Sequence, residues 1–123
     1  MCPEILLVED SPTQALRMQL ILERAGGHVT VARNGRQGIE MATAKPPAVV
    51  VLDVNLPDLD GFQVCQALKD NPATAHVLII MLTVKDRVAD TLAGLDAGAD
   101  AYIPKDDFAE ENLRAALRDL QVL

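Results

Sequence analysis

The sequence is poor in aromatic residues and has no tryptophan, so its core must be built from aliphatic side chains. It contains two phenylalanines and one tyrosine, whereas hydrophobic residues make up 50% of its 123 positions. A chain of this length suits one domain and can bury about two-thirds of the surface of its unfolded state. The composition therefore predicts a single globular domain with a core of valine, leucine, isoleucine and alanine.

Positive charge, long apolar runs and cysteine are also scarce. The formal net charge of −7 argues against direct binding to nucleic acid or to an anionic membrane surface. No apolar run approaches the roughly 18 residues of a membrane span, and Met1–Glu4 lacks the basic start of a signal peptide. Cys2 and Cys65 have no disulfide-framework or metal-site spacing, and Cys65 lies among apolar, core-like positions. We therefore expect a cytoplasmic protein.

Strand and helix patterns alternate along the whole chain. Short apolar runs predict strands, and apolar residues spaced three and four apart predict amphipathic helices. The predicted strands are Glu4–Val8, His28–Ala32, Ala48–Asp53, Val77–Leu82 and Ala101–Pro104. The first predicted helix lies between Ser11-Pro12 and Gly26-Gly27, and the others cover Gly35–Ala44, Gly61–Asn71, Asp86–Ala97 and Phe108–Leu120.

Five consecutive strand–helix units predict an α/β fold in which helices cover both faces of a parallel sheet. Because crossovers between parallel strands are right-handed, the natural arrangement is a doubly wound, flavodoxin-like (βα)5 fold with strand order 2-1-3-4-5. Ligands of such sheets bind beyond the carboxyl ends of the strands, where the strand order reverses. This switch point lies between the first and third predicted strands.

Charged residues follow the predicted strands at that edge. Glu9 and Asp10 follow the first strand, Asp53 ends the third, and Lys105 follows the fifth. Like charges about 4 Å apart repel by roughly 4 kcal/mol at an effective dielectric near 20. Three crowded carboxylates therefore need a cation, and oxygen ligands favour Mg²⁺. With the Thr83 hydroxyl after the fourth strand, the set contains the parts that phosphoryl transfer uses.

Four motifs occur in a specific order and spacing. They are Val8-Glu9-Asp10, Asp53-x-x-Leu56-Pro57-x-x-Asp60-Gly61, Leu82-Thr83 and Gly98-Ala99-Asp100-x-Tyr102-Ile103-x-Lys105. Each motif alone is weak, but the set resembles the receiver domain of bacterial two-component response regulators and is similar to the stand-alone chemotaxis receiver. The resemblance covers nearly the whole chain. We therefore expect residues 1–123 to form one receiver domain, with no output domain.

The resemblance implies a role for each residue of the acidic group. Asp53 accepts a phosphoryl group from a phosphohistidine on a histidine kinase or a histidine phosphotransfer protein. Asp10 and Asp53 bind Mg²⁺ directly, Glu9 helps through water, and Asn55 adds its backbone carbonyl. Apart from its own phosphorylation and dephosphorylation, such a domain is not an enzyme.

The resemblance also implies a switch. Thr83 and Lys105 contact the phosphoryl oxygens, and Tyr102 turns inward when Thr83 moves. The outer face formed by the helix predicted over 86–97, the fifth strand and the last helix would bind an output protein or domain. A homodimer through the same face is a further possibility that no residue pattern decides.

Two positions depart from the family pattern. Asp106 replaces the proline that commonly follows the lysine, often with a cis bond, and a cis bond without proline costs roughly 3–4 kcal/mol. We therefore expect a trans bond between Lys105 and Asp106. Val84 replaces a small residue after Thr83, and our hypothesis is that Val84 and Lys85 tune donor access and phosphoryl lifetime.

Other functions remain open from the sequence. A phosphatase of the haloacid-dehalogenase type shares the aspartate nucleophile, lysine and Mg²⁺, but it needs a second acid where Asn55 stands. A flavin-binding module would need a phosphate-binding loop where Glu9-Asp10 would repel phosphate, and a degenerate receiver would carry no phosphate. His28 and His76, at the opposite edge of the sheet, are interpreted as surface residues.

Overall fold

The computed structural model describes residues 2–83, 98–105 and 108–122, and all structural statements concern these. In chain order, their elements are β1 (Glu4–Val8), α1 (Pro12–Arg24), β2 (His28–Ala32), α2 (Gly35–Ala44), β3 (Val49–Asp53), α3 (Gly61–Asp70), β4 (Leu78–Thr83), β5 (Ala101–Pro104) and α4 (Ala109–Asp119). The helix predicted over 86–97, residues Val84 and Lys85, and the Lys105–Asp106 bond lie outside the described residues. No helix in the described part is long and apolar enough to cross a membrane.

The five strands form one parallel sheet in the order β2-β1-β3-β4-β5, which confirms the predicted fold class and topology. The strand register aligns Val8 with Leu52, Leu52 with Met81, and Met81 with Tyr102. β1, β3, β4 and β5 therefore all end within two residues of this row, at the carboxyl edge of the sheet. β4 extends one residue beyond its predicted end because Thr83 still pairs with β5.

Helices cover both faces of the sheet, and each face has its own aliphatic core. Alternate strand residues such as Leu7, Val51 and Ile80 pack with residues of α1 and α4. The intervening residues, including Leu52, pack with α2 and α3, and Cys65 is buried in this second core as predicted. Fully burying one large aliphatic side chain contributes about 1.5–3 kcal/mol. The central strands are therefore a rigid support for the edge at which they end.

Side chains at the helix starts fix where the loops enter the helices. Ser11, Asn34 and Asp60 accept backbone N–H groups in the first turns of α1, α2 and α3. Asp60 and Gln63 form a reciprocal capping box, so Asp60, and not Asp53, caps α3. The loop between β3 and α3 is consequently held at its far end.

Candidate functional site

Three carboxylates converge at the carboxyl edge of the sheet. Glu9 follows β1, Asp53 ends the neighbouring β3, and Asp10 lies beside them; one oxygen of each lies within 4.8 Å of the others. Glu9 and Asp53 are only 1% and 5% exposed, whereas Asp10 is exposed to solvent. The structure thus brings together the acidic residues that the sequence singled out.

Lys105 reaches this group from β5, two strands away from β3. Its Nζ donates to Asp53 Oδ2 at 2.6 Å, to Glu9 Oε2 at 3.1 Å and to Gln14 Oε1 at 2.8 Å. Its backbone N–H donates to the carbonyl of Thr83 at the end of β4. One ammonium therefore links the ends of β1, β3 and β5 and the first turn of α1.

Gln14 is a site residue that the sequence reasoning missed. It stands four residues after Asp10 and one turn into α1, where a polar side chain is ordinarily solvated. One indication of its role was present in the sequence, namely its position. The helix α1 follows Glu9-Asp10, so its first turn lies at the carboxyl edge of the sheet, where these two residues lie. The contact with Lys105 could not be read from this position, because the two residues are 91 positions apart.

Glu9 is buried beside a second carboxylate. Burial raises the pKa of Glu9, and the Asp53 carboxylate raises it further, against the opposing effect of Lys105. The backbone N–H of Ser11 donates to the other Glu9 oxygen at 3.3 Å. With all groups ionised, three carboxylates face one ammonium. A divalent cation would balance this charge, and a donor set made of oxygen atoms fits Mg²⁺.

The loop after β3 holds the Asp53 carboxylate from the other side. The backbone N–H of Asn55 donates to Asp53 Oδ1 at 3.0 Å, and that of Val54 donates to the Leu82 carbonyl. A Cβ atom on Gly61 would lie 2.6 Å from the Asp53 carbonyl oxygen, so glycine is needed where α3 begins. The Asn55 backbone therefore lies next to Asp53, and its carbonyl as a metal ligand stays a prediction.

The two predicted switch residues lie on adjacent strands. Thr83 is buried at the end of β4, at the same edge as Asp53. Tyr102 in β5 is partly buried and packs against the second core. The switch role of Thr83 and Tyr102 stays a prediction.

A second missed residue is Asp58, in the loop between β3 and α3. Its carboxylate accepts the backbone N–H groups of Gly35 at 2.8 Å and Arg36 at 2.9 Å, at the start of α2. The Arg36 N–H, together with that of Gly35, lowers the pKa of Asp58 to about 2. The sequence analysis assigned no role or partner to Asp58.

At the opposite edge, both histidines are exposed, as predicted. His28 Nδ1 also lies 2.8 Å from Glu4 Oε2, a surface pair that the sequence reasoning did not include. Hydrogen bonding to His28 lowers the pKa of Glu4. Neither histidine approaches the carboxylates that follow β1 and β3.

A parallel sheet of order 2-1-3-4-5 with an acidic group and a lysine at its switch point defines the receiver class of flavodoxin-like proteins. The family model described as the response regulator receiver domain matches residues 5–118. The chain therefore belongs to the response regulator receiver domain family of two-component systems.

The chain is also similar to individual response regulators and transcriptional regulators. The DNA-binding dual master transcriptional regulator RpaA of Synechocystis sp. is 39% identical over 119 residues, covering 94% of this chain and 49% of that protein. A putative response regulator from Chloroflexus aurantiacus has a TM-score of 0.92 and 28% identity, with 100% of both chains covered. The chain spans about half the length of RpaA and of three further relatives, MprA, AfsQ1 and TcrX.

One solved relative contains a metal. The receiver domain of a sensor histidine kinase from Pseudomonas aeruginosa has a TM-score of 0.87 and 29% identity, covering 98% of this chain and 99% of that one. That structure has a magnesium ion coordinated in its active site cleft. It is a precedent for Mg²⁺ in this fold.

Proposed function

We propose that Asp53 accepts a phosphoryl group from a phosphohistidine in a Mg²⁺-dependent reaction, and that this modification switches a partner-binding face. The observation that carries the proposal is the position of Asp53. Its carboxylate lies 2.6 Å from a lysine ammonium and shares its surroundings with two further carboxylates. This arrangement supplies a nucleophile, a fixed cation and oxygen ligands for a metal at one point.

In the transfer step, a carboxylate oxygen of Asp53 attacks phosphorus while the bond between phosphorus and the histidine nitrogen of the donor breaks. The electron pair of that bond leaves on the imidazole, which is neutralised by a proton. Lys105 faces Oδ2, so negative charge that develops on a phosphoryl group at this oxygen lies beside an ammonium. Bound Mg²⁺ would supply the remaining charge neutralisation, with Asp10, Asp53, Glu9 and the Asn55 carbonyl as its proposed ligands.

The switch follows from the contacts that Lys105 would exchange. A phosphoryl group adds a charge of about −1.5 to −2, by analogy with other phosphorylated side chains. Lys105 now divides its ammonium among Asp53, Glu9 and Gln14, and phosphoryl oxygens would compete for it. The backbone N–H of Lys105 also donates to the Thr83 carbonyl. A shift of Lys105 would therefore displace the paired ends of β4 and β5, and β5 contains Tyr102.

The partners and the location stay predictions of the same proposal. A histidine kinase or a histidine phosphotransfer protein is the proposed donor. We propose that an output protein or domain binds the face that includes β5 and α4 and so responds to the signal. A homodimer through this face and a cytoplasmic location are also retained as predictions.

The phosphatase alternative has no support in the structure or among the relatives. Asn55 stands two residues after Asp53, where such an enzyme needs a general acid, and its backbone N–H is bound to Asp53 itself. The relatives described above are response regulators and receiver domains. Its own phosphorylation from a donor and the hydrolysis of its own acyl phosphate are the catalysis that we expect of the chain.

Intact-mass analysis tests the proposal. After incubation with acetyl phosphate and MgCl₂, we expect wild-type protein to gain one phosphoryl group, and we expect no gain with Asp53→Asn or with excess EDTA. Asp70→Asn is the matched control, since Asp70 is exposed at the end of α3 and should leave the gain unchanged. A folded wild-type protein that gains no phosphoryl group, or an Asp53→Asn variant that gains one, would contradict the proposal.

A further inference from the structure

A carboxylate outside the acidic group joins the loop after β3 to the start of α2. Both oxygens of Asp58 are used: Oδ1 accepts from Gly35 N and Oδ2 accepts from Arg36 N. These N–H groups lie in the first turn of a helix, where backbone donors have no partner within the helix and the helix dipole favours negative charge. The contact spans 22 to 23 positions of sequence and joins two separate elements.

Close packing at the same place depends on a glycine. A Cβ atom on Gly35 would lie 2.8 Å from Val64 Cγ2, 3.0 Å from Leu59 Cβ and 3.3 Å from Asp58 Oδ1. The start of α2 thus lies directly against the loop and the first turns of α3. This packing is a second observation, independent of the hydrogen bonds, that ties the loop to α2.

The part of the loop that Asp58 holds is the part next to Asp53. At its near end the loop is anchored by Val54, and at its far end by the capping box of Asp60. Between them, the Asn55 N–H contacts Asp53 Oδ1, and Asp58 contacts α2. The Asn55 peptide therefore lies between two anchors of the loop, Val54 at the end of β3 and Asp58 at the start of α2.

We propose that Asp58 is a positioning residue for the metal site: by tethering the loop to α2, it holds the Asn55 backbone where its carbonyl can bind Mg²⁺. The inference rests on the proposed function, because it assumes that Mg²⁺ binds beside Asp53. Without the tether the loop would lose its anchor between Asn55 and Asp60, and metal binding would have to order that segment. The cost of that ordering would appear as weaker binding.

Asn34 provides a matched control on the same helix. Its side chain accepts from Gln37 N at 2.8 Å and so caps α2 from the position just before the helix, through a different N–H group from those that Asp58 binds. Asn34→Ala and Asp58→Ala therefore each remove a cap from α2, and only Asp58→Ala also releases the loop. A role of Asp58 confined to helix stability predicts the same behaviour for both variants.

The experiment is an MgCl₂ titration of each full-length variant, followed through the backbone amide NMR signals of Asn55 and Asp10. We expect Asp58→Ala to weaken Mg²⁺ binding by about tenfold, the lower end of the effect of losing an outer partner of a metal site. Asn34→Ala should stay close to wild type. The Mg²⁺ affinity of Asp58→Asn should lie between those of Asp58→Ala and wild type, since the amide oxygen replaces one of the two acceptors.

The outcomes separate this inference from the function on which it rests. If wild type binds Mg²⁺ and Asp58→Ala matches Asn34→Ala, the positioning role is wrong while the proposed function stands. If wild type shows no Mg²⁺-dependent shift, the proposed function fails and the positioning role fails with it. If Asp58→Ala does not fold, Asp58→Asn takes its place: weaker Mg²⁺ binding than in Asn34→Ala supports the positioning role, and equal binding overturns it.

Discussion

Lys105 is the residue on which the charge balance of the site depends. Its ammonium contacts two buried carboxylates and is itself largely buried, with 15% of its side chain exposed. Buried charges are retained when partners compensate the loss of hydration. One lysine leaves a deficit of positive charge against three carboxylates. Burial is the main cause of the raised pKa of Glu9, and the Asp53 carboxylate raises it further. The same deficit makes the site receptive to a metal ion.

Replacing Glu9 by glutamine tests this deficit through the pH dependence of stability. Since the folded protein raises the pKa of Glu9 above its ordinary value of 4.5, protonated Glu9 favours the native state, and this contribution is lost as the pH rises through the raised value. Glutamine keeps an acceptor for Ser11 N and carries no charge. In EDTA we expect Glu9→Gln to be more stable than wild type at pH 7.

Urea denaturation between pH 4 and pH 7 measures the difference in the free energy of unfolding. The advantage of Glu9→Gln should shrink as the pH falls toward the ordinary pKa of 4.5. Asp10→Asn is the comparison, because Asp10 is exposed and its charge is hydrated. A wild-type protein that is more stable than Glu9→Gln at pH 7 would show that Lys105 does compensate Glu9.

At the scale of elements, the junction between β3 and α3 controls where Asp53 points. The strand ends in Asp53, the loop folds back through the bond from Gly61 N to Val54 O, and α3 starts with its capping box. Pro57 and Gly61 made a shaped loop predictable from the sequence. The close approach of α3 to the strand end could be seen only in three dimensions.

Gly61→Ala should damage this junction more than loss of the helix cap does. The added Cβ would lie 2.6 Å from Asp53 O and 2.8 Å from Val54 Cα, both backbone atoms. We expect a loss of about 1–3 kcal/mol in the free energy of unfolding, as for other overpacked sites. Asp60→Ala, which removes the cap without adding an atom, should cost about 1 kcal/mol. Urea denaturation measures both, and a Gly61→Ala variant as stable as wild type would refute the close approach.

A polar contact at the opposite edge shows how elements are tied together away from the site. Asp100 Oδ2 accepts from Ile79 N at 2.8 Å and from Lys69 Nζ at 3.2 Å, and Lys69 also donates to the Val77 carbonyl. The contact links the end of α3 to the starts of β4 and β5. Asp100 helped to identify the family from the sequence, and the structure gives it a role in holding these elements.

At the scale of the whole molecule, the chain carries a net charge of −7, and three of its carboxylates meet at one point. A ligand that binds only the folded state stabilises it by mass action. A divalent cation at this point should therefore stabilise the entire domain, beyond the screening that any salt provides.

Thermal unfolding in MgCl₂ tests this linkage. At about ten times the dissociation constant, we expect a gain of about 1.4 kcal/mol and a rise in the midpoint of about 3–6 °C. NaCl at equal ionic strength should raise the unfolding midpoint of wild type less than MgCl₂ does. In Asp10→Asn the two salts should raise the midpoint equally. Equal effects of MgCl₂ and NaCl on wild type would argue against a specific metal site.

The sequence by itself determined the fold class, the strand order and the edge at which the site lies. These follow from apolar runs, turn residues and right-handed crossovers, all of which act locally or apply to any parallel sheet. It also singled out Glu9, Asp10, Asp53 and Lys105, because each follows a strand and strands end together. These four side chains come together because the strand order places the ends of their strands at one edge of the sheet.

The tertiary structure alone decided the contacts of Gln14 and Asp58. Gln14 meets Lys105 across 91 positions, and Asp58 meets the start of α2 across 22 to 23. Both side chains look like ordinary solvated residues in the sequence, and neither follows a strand. Their partners are set by how helices and loops pack over the sheet edge, which no local pattern encodes.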